Sequence, residues 1–125
     1  VHLGQRSLPP DVARGLLGPG ALVGLSVHDV EEARAPGTDG ASFLMVGSIY
    51  PTASHPERVP AGPGRIREIG AMTSLPLLGI GGVTPPRVGE LIEAGAHGIA
   101  VRGGVWDAED PGGAVRVYLR SWMVP

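Results

Sequence analysis

The segment Leu77-Leu78-Gly79-Ile80-Gly81-Gly82-Val83-Thr84-Pro85 gives the clearest indication of the fold class. Its first four residues are apolar or glycine without alternation, which is typical of a strand buried on both faces of a parallel sheet. The two glycines that follow predict a tight turn. Thr84 before Pro85 predicts the start of a helix. The stretch therefore combines a buried strand, a loop and a helix start, the repeating unit of α/β folds.

The same unit recurs on both sides of this stretch. Five strands are predicted, at Val1–Leu3, Leu22–Val27, Phe43–Val46, Leu77–Ile80 and Ile99–Val101. Between and after them, apolar residues at helical spacing predict one apolar face per helix: Val12/Leu16, Ile66/Ile69, Val88/Leu91/Ile92 and Val115/Tyr118/Leu119/Trp122. This order predicts five βα units of an α/β barrel or a doubly wound sheet, and spacing alone does not separate the two.

Helix ends are marked by capping residues. Asp29 with Glu32 three residues on, and Asp110 before Pro111, predict helix starts. Gly18 and Gly95 predict helix ends. The 21 glycines and 13 prolines fall mostly between the apolar runs, so they indicate turns and not a disordered chain.

Composition limits the classes of function. With 125 residues, 42% hydrophobic and 18% charged, the chain has material for one domain, predicted over residues 1–125. Ten Lys and Arg against 12 Asp and Glu, with no long basic run, argue against a nucleic-acid partner. The absence of cysteine excludes disulfides and thiolate metal sites. No apolar run approaches the roughly 18 residues of a membrane span, and the start lacks a signal-peptide pattern, so we expect a cytoplasmic protein.

Several motifs occur in one order along nearly the whole chain. They are Val1-His2-Leu3-Gly4-Gln5, Gly24-Leu25-Ser26-Val27-His28, Gly47-Ser48-Ile49-Tyr50-Pro51-Thr52, Gly79-Ile80-Gly81-Gly82-Val83-Thr84-Pro85 and Ala94-Gly95-Ala96-His97-Gly98-Ile99-Ala100-Val101. Together they resemble strands four to eight of the thiamine phosphate synthase and TenI family of (β/α)₈ barrels. The resemblance implies the C-terminal part of a TIM barrel, with the first three βα units absent from this sequence.

Two departures from the synthase pattern favour the TenI branch. Where synthases carry an acidic magnesium ligand after the His-Leu-Gly-Gln motif, this chain has Ser7. Where they carry a Thr-x-Thr-Lys loop for the pyrophosphate leaving group, it has Thr52-Ala53-Ser54-His55-Pro56. The resemblance then implies a thiazole tautomerase, an isomerase of thiamine biosynthesis that aromatises a carboxythiazole phosphate without a cofactor. The alternatives are a magnesium-dependent thiamine phosphate synthase, which joins a pyrimidine pyrophosphate to a thiazole phosphate, and a non-catalytic module that binds a phosphate ligand or has a regulatory role.

The phosphate-binding residues are predicted in the loops after the last two strands. Phosphate sites of these barrels often lie there, and the candidates are Gly81, Gly82, Val83, Gly103 and Gly104. Glycine lets backbone N–H groups approach a phosphate, and the helix start after Thr84 offers further N–H groups. Tight turns alone would also explain these glycines. Arg102 either adds positive charge or points into solvent.

His28, at the end of the second strand, is the predicted catalytic residue. A tautomerase moves a proton between two positions of one substrate, and a histidine titrating near neutrality can both take and return it. The alternative is a histidine that only hydrogen-bonds a loop. Gln5, Ser26, Thr52, Ser54 and His55 are the predicted substrate-binding residues; His55 is also explained as a solvent-facing loop residue.

The sequence has no cluster with metal-ligand spacing, so no metal site is predicted, and magnesium is expected only under the synthase alternative. Five strands do not close an eight-stranded barrel. Two sheet edges would then stay open and favour pairing with another chain. From this geometry we expect that the chain is a fragment of a longer gene product, or that it forms a homo-oligomer through the open edges.

Overall fold

The computed structural model describes residues 1–123, and the last two residues of the predicted 1–125 domain lie outside the described part. Its strands are β1 (His2–Leu3), β2 (Gly24–Val27), β3 (Phe43–Val46), β4 (Leu77–Ile80) and β5 (Gly98–Ala100). Its helices are α1 (Pro10–Leu17), α2 (Val30–Ala33), α3 (Gly64–Gly70), α4 (Val88–Glu93), α5 (Gly103–Trp106) and α6 (Pro111–Met123). Short 3₁₀ turns occupy Thr38–Gly40 and Pro85–Arg87.

The five strands form one parallel sheet in the order β1-β2-β3-β4-β5. Strand order therefore equals chain order, and every carboxyl end lies at the same edge. This is the α/β arrangement predicted from the sequence. Among residues 1–123 no helix is both long and apolar enough to cross a membrane.

The core lies between the sheet and its helices. Leu44, Val46 and Leu77 from the strands are almost completely buried, as are Ile66 and Ile69 of α3. At roughly 1.5–3 kcal/mol for each large aliphatic side chain removed from water, this burial is the main stabilising contribution. The predicted apolar pair Ile66/Ile69 thus faces the sheet.

Two other predicted apolar faces are wrong in part. Val12 and Leu16 of α1 are 46% and 74% exposed, and α1 buries Pro10 and Ala13 instead. In α6 Tyr118 is buried, whereas Leu119 is 55% exposed. Both helices belong to the βα units at the two edges of the sheet, where no further unit of the described chain covers their outer faces.

Strand and helix ends also differ from the predictions in detail. The strands predicted at Phe43–Val46 and Leu77–Ile80 are confirmed, whereas the other three are shorter or shifted by one residue. Asp29 caps α2, where its side chain accepts a hydrogen bond from Glu32 N at 2.8 Å. Asp110 accepts one from Gly113 N at 2.9 Å. Gly18 and Gly95 follow α1 and α4 with φ of 94° and 97°.

Candidate functional site

A cleft of about 510 Å³ opens at the carboxyl ends of β2 to β5. The position follows from the parallel topology, because all the loops that follow the strands meet at this edge. Ten of the eleven predicted site residues line the cleft: Ser26, His28, Thr52, Ser54, His55, Gly81, Gly82, Val83, Gly103 and Gly104. Gln5 does not, although it lies close to β2. Whether these residues bind a substrate stays a prediction.

The loop after β4 has a backbone that only glycine tolerates. Gly81 and Gly82 have φ of 100° and 61°, in the left-handed region that disfavours residues with a side chain. A Cβ at Gly81 would lie 2.9 Å from Ser48 Cα, and a Cβ at Gly82 would overlap the carbonyl oxygen of Pro51. The loop is therefore packed directly against the backbone that follows β3.

Gly104, in the second predicted phosphate-binding loop, lies close to the side chain of Tyr118. Tyr118 of α6 is buried, and its hydroxyl donates a hydrogen bond to the Val83 carbonyl oxygen at 2.8 Å. A Cβ at Gly104 would overlap the same hydroxyl. Burial raises the pKa of Tyr118, so the hydroxyl keeps its proton and remains a donor. One side chain thus joins the loops that follow β4 and β5.

A second tyrosine supports the loop after β4 from the other side. The Tyr50 hydroxyl donates to Glu90 Oε2 at 2.7 Å, and the Arg87 guanidinium lies 4.5 Å from the centre of the Tyr50 ring. Arg87 Nη1 also donates to the Gly82 carbonyl oxygen at 3.0 Å. Burial, followed by the hydrogen bond to Glu90, raises the pKa of Tyr50. Tyr50 lies 40 residues before Glu90 along the chain, so no local sequence pattern predicts this cluster.

The helix start after Thr84 does not provide the N–H groups that we expected. Pro85 and Pro86 have no N–H, Arg87 N donates to Thr84 O, and Val88 N donates to Pro85 O within the 3₁₀ turn. By contrast, Gly82, Gly103 and Gly104 donate no backbone hydrogen bond within residues 1–123. The available N–H donors are therefore those of Gly82 in the loop after β4 and of Gly103 and Gly104 in the first turn of α5. A loop was predicted at Gly103, and the structure has the start of a helix there.

His28 is held on both sides of its ring. Nδ1 lies 2.8 Å from Glu32 Oε2, and Nε2 lies 2.5 Å from Arg58 Nη1. Since a carboxylate only accepts and a guanidinium only donates, these partners assign the proton to Nδ1 and make Nε2 an acceptor. Arg65 Nη1 also donates to the His28 carbonyl oxygen. The ring orientation is therefore fixed by Glu32 and Arg58, and Arg65 holds the backbone of the same residue. The motif at β2 predicts none of these contacts.

Ser26 is already engaged by residues of β1 and the loop after it. His2 Nε2 lies 2.7 Å from Ser26 Oγ, and Gln5 Nε2 donates to the Ser26 carbonyl oxygen at 2.7 Å. Burial, and then the positive N-terminus nearby, lowers the pKa of His2. Gln5 thus positions the strand end that carries Ser26 and His28 and lies outside the cleft itself.

The loop after β3 contributes the most exposed residues of the cleft. Thr52 Oγ1 accepts from Ser54 N at 3.3 Å, and Ser54 Oγ lies 3.4 Å from Arg102 Nη1. His55 Nδ1 lies 3.3 Å from Glu57 Oε1, with half of the His55 side chain exposed. These contacts place Arg102 at the cleft.

Positive charge predominates in the cleft. Its lining includes three arginines, Arg58, Arg87 and Arg102, and one carboxylate, Asp107. This balance suits an anionic ligand such as a phosphate ester. For a metal ion the residues are less suitable, since the described part of the chain has no group of three or more His, Asp or Glu side chains that could hold one.

Comparisons with known proteins agree with this geometry. The family model described as thiamine monophosphate synthase (TMP-TENI) matches residues 1–105. A thiamine-phosphate synthase of Natronomonas pharaonis is 47% identical over 119 residues, which is 93% of this chain and 56% of that protein. The thiamine biosynthesis bifunctional protein ThiM/ThiE of Symbiobacterium thermophilum is 43% identical over 120 residues, 95% of this chain and 25% of that protein. The chain thus spans about half the length of the curated synthases that it matches.

Solved structures show the same relationship. The thiamine phosphate pyrophosphorylase from Pyrococcus furiosus superposes with a TM-score of 0.85 and 31% identity, covering 98% of this chain and 58% of that chain. A 3-hexulose-6-phosphate synthase, 16% identical, superposes with a TM-score of 0.71 over 97% of this chain and 60% of that chain. At that identity the second likeness concerns the fold alone, which is TIM-barrel-like.

The expectation of a thiazole tautomerase is wrong. It depended on Ser7 and on the missing lysine, yet relatives 40–47% identical over most of the chain are named thiamine-phosphate synthases. The predicted catalytic role of His28 stays a prediction. The family match, the relatives and the superposition establish that the chain belongs to the thiamine monophosphate synthase family.

Proposed function

We propose that this chain forms the phosphate-binding part of a thiamine-phosphate synthase. The observation that carries the proposal is the cleft at the strand ends, whose lining within residues 1–123 combines three arginines with glycines whose N–H groups donate no backbone hydrogen bond. The relatives named for this activity support it. In the reaction, the bond between the pyrimidine substrate and its diphosphate breaks, and the electron pair leaves with the diphosphate. The thiazole phosphate supplies the pair for the new bond.

The residues divide into two groups in this proposal. Gly81, Gly82, Val83, Gly103 and Gly104 hold the phosphate of the thiazole ester through backbone amides. Ser26, His28, Thr52, Ser54 and His55 contact the parts of the substrates nearer β2 and β3. Gln5 acts through Ser26, to whose carbonyl oxygen its side chain is bonded. In this proposal His28 orients a substrate, since its ring is fixed by Glu32 and Arg58.

The described residues do not fit a complete magnesium site. Ser7 replaces the expected carboxylate, and its hydroxyl accepts a hydrogen bond from Gly4 N at 3.1 Å. Magnesium in proteins is usually held through one or two carboxylates together with substrate phosphates. In the cleft Asp107 is the single carboxylate among residues 1–123. No part of the proposed phosphate binding requires the metal.

The segment corresponds, in this proposal, to strands four to eight of the synthase barrel. The sheet contains five strands, and the curated synthases are about twice as long as the matched segment. β1 and β5 each pair with one neighbour only, which leaves two edges for other strands or for a second copy of the chain. A homo-oligomer and a cytoplasmic location stay predictions.

A second candidate function is a module that binds the thiazole phosphate without turnover. It is favoured by the coverage, because the chain matches only 51–57% of the curated synthases apart from the bifunctional protein. In this case the glycine amides would hold the ester while residues needed for the bond-forming step are lacking. The two candidates differ in turnover and not in binding.

The deciding experiment supplies the purified 125-residue chain with pyrimidine diphosphate, thiazole phosphate and magnesium, and follows both thiamine phosphate and released diphosphate. Formation of the two products in equal amounts supports the synthase. Binding of thiazole phosphate by calorimetry without product supports the binding module. A folded chain, verified by circular dichroism, that neither binds the ester nor forms product contradicts both.

A further inference from the structure

The long loop between β3 and α3 lacks the lysine of the synthase pattern but contains an arginine further along. Residues 52–56 have no basic side chain other than His55, and Arg58 is the next cation. The loop is anchored beyond this point by two hydrogen bonds to its own start. Ala61 N donates to Ser48 O at 2.9 Å, and Gly62 N donates to Ile49 O at 2.8 Å. The chain therefore folds back, and Arg58 lies over the strand ends.

Arg58 contacts the cleft through the ring of His28. Its Nη1 donates to His28 Nε2 at 2.5 Å, while the other ring nitrogen, Nδ1, lies 2.8 Å from Glu32 Oε2. The adjacent Glu57 is turned toward His55 instead. Within residues 1–123 Arg58 forms no ion pair, and Nη1 is the one atom of its guanidinium with a hydrogen-bond partner. The positive charge and the donors of Nε and Nη2 are therefore available to a ligand.

A second cavity of about 430 Å³ adjoins the cleft at Arg58. His28, Gly47, Ser48 and Arg58 line both spaces. Arg65 lines the second cavity as well, and no Asp or Glu does. Although Arg65 Nε pairs with Glu68 at 3.0 Å, its Nη1 reaches the His28 carbonyl oxygen. Two guanidinium groups thus contact His28, which lines both cavities.

We propose that Arg58 binds the diphosphate group of the pyrimidine substrate at this junction, with Arg65 beside it. The inference rests on the proposed synthase function and names the residue that holds the leaving group. A guanidinium offers two parallel N–H donors to a phosphoryl group, which a point charge such as lysine does not. The diphosphate would occupy the cavity side of His28, while the thiazole phosphate occupies the glycine loops. The two anions are then separated by the His28 ring.

Binding of inorganic diphosphate to the 125-residue chain tests this assignment. We expect R58A to raise the Kd for diphosphate about tenfold, in line with the loss of a charge-assisted hydrogen bond, and R58K to raise it about threefold. R120A is the matched control, since Arg120 is an exposed arginine of α6 outside both cavities. It removes the same net charge and should leave the Kd unchanged. Arg58 is exposed in a loop, so its variants should fold normally.

The outcomes separate this inference from the proposed function. Equal losses in R58A and R120A would reveal a net-charge effect, and equal affinities for sulfate and diphosphate would reveal a nonspecific anion site; either result overturns the assignment. Unchanged diphosphate affinity in R58A also overturns it, whether or not the chain turns over substrate. Arg58-dependent diphosphate binding in a chain without turnover would uphold the assignment and reject only the synthase activity.

Discussion

The two sides of the cleft are built in different ways. On the side of β4 and β5, backbone groups are fixed by hydrogen bonds and close packing: the buried Tyr118 holds Val83, the partly buried Arg87 holds Gly82, and Gly82 is packed against Pro51. On the side of β2 and β3, His28, His55 and Arg58 are side chains that are partly or fully exposed to solvent. On the β4 and β5 side, packing fixes the backbone of the predicted phosphate-binding loops. On the β2 and β3 side, exposed side chains offer the groups that contact a ligand, and they can be substituted without disturbing the core. Substitutions should therefore affect stability on the first side and ligand preference on the second.

The largest effect is expected for Gly82→Ala. The substitution combines a positive φ with a Cβ that overlaps the Pro51 carbonyl oxygen. Strain of about 1–2 kcal/mol from the backbone and about 1–3 kcal/mol from overpacking should lower the thermal midpoint by roughly 10 °C. Binding of thiazole phosphate should be lost. Calorimetry and a thermal melt measure both.

Gly89→Ala is the control for this substitution. Gly89 lies in α4, and a Cβ there would meet nothing within 4 Å. Alanine at an open helical position should leave stability unchanged or raise it by about 0.5–1 kcal/mol. If Gly82→Ala bound the ester as well as Gly89→Ala does, the loop after β4 would not be the phosphate site.

An intermediate effect is expected for Tyr118→Phe. The ring remains, but the Val83 carbonyl oxygen loses the hydroxyl that donates to it at 2.8 Å. The free energy of unfolding should fall by about 1–2 kcal/mol because a buried acceptor is left unsatisfied. The Kd for thiazole phosphate should rise a few-fold, as the loops after β4 and β5 lose their connection. Denaturant unfolding and a binding titration measure the two effects.

Ser121→Ala provides the comparison within the same helix. Ser121 Oγ donates to Val117 O at 3.0 Å on the exposed side of α6. Removal of this hydroxyl should change neither stability nor binding, since the carbonyl stays accessible to water. Equal losses in the two variants would show that the effect of Tyr118 is not specific to the cleft.

The smallest effect is expected for His55→Ala, on the other side of the cleft. The His55 side chain is half exposed, and among residues 1–123 its hydrogen-bond partner is Glu57 Oε1 at 3.3 Å. The thermal midpoint should stay within about 2 °C of the original, and the affinity for thiazole phosphate should change about twofold at most. A tenfold loss of affinity would show that the loop closes over the ligand, and the contrast between the two sides would then disappear.

The sequence predicted those parts of the fold that depend on local pattern. β3 and β4 were placed correctly because each is a four-residue run whose ends the sequence marks, with Ser42 and Gly47 around β3 and Pro76 and Gly81 around β4. The exposed positions Val12 and Leu16 were not, because helical periodicity shows which residues share a face and not whether another element covers it.

The candidate site was predictable in outline for the same reason. The glycines after β4 and the histidine after β2 stand at strand ends that the sequence marks clearly. Arg58 and Tyr118 were not predicted as site residues. Nothing in the sequence near Arg58 indicates a contact with His28, and Tyr118 was predicted only as part of an apolar helix face. The functional prediction was wrong for a related reason. It relied on two local departures, Ser7 and the missing lysine after Ser54, and gave too little weight to the agreement of the rest of the chain with the synthases.

The agreement between strand order and chain order has a consequence for folding kinetics. Each strand pairs with the next one along the chain, and no pair closes a loop longer than the one between Leu44 and Leu77. The entropy cost of closing such a loop grows only slowly with its length, and short sequence separations favour fast folding. The sheet can therefore grow one βα unit at a time from any strand pair, much as repeat proteins do.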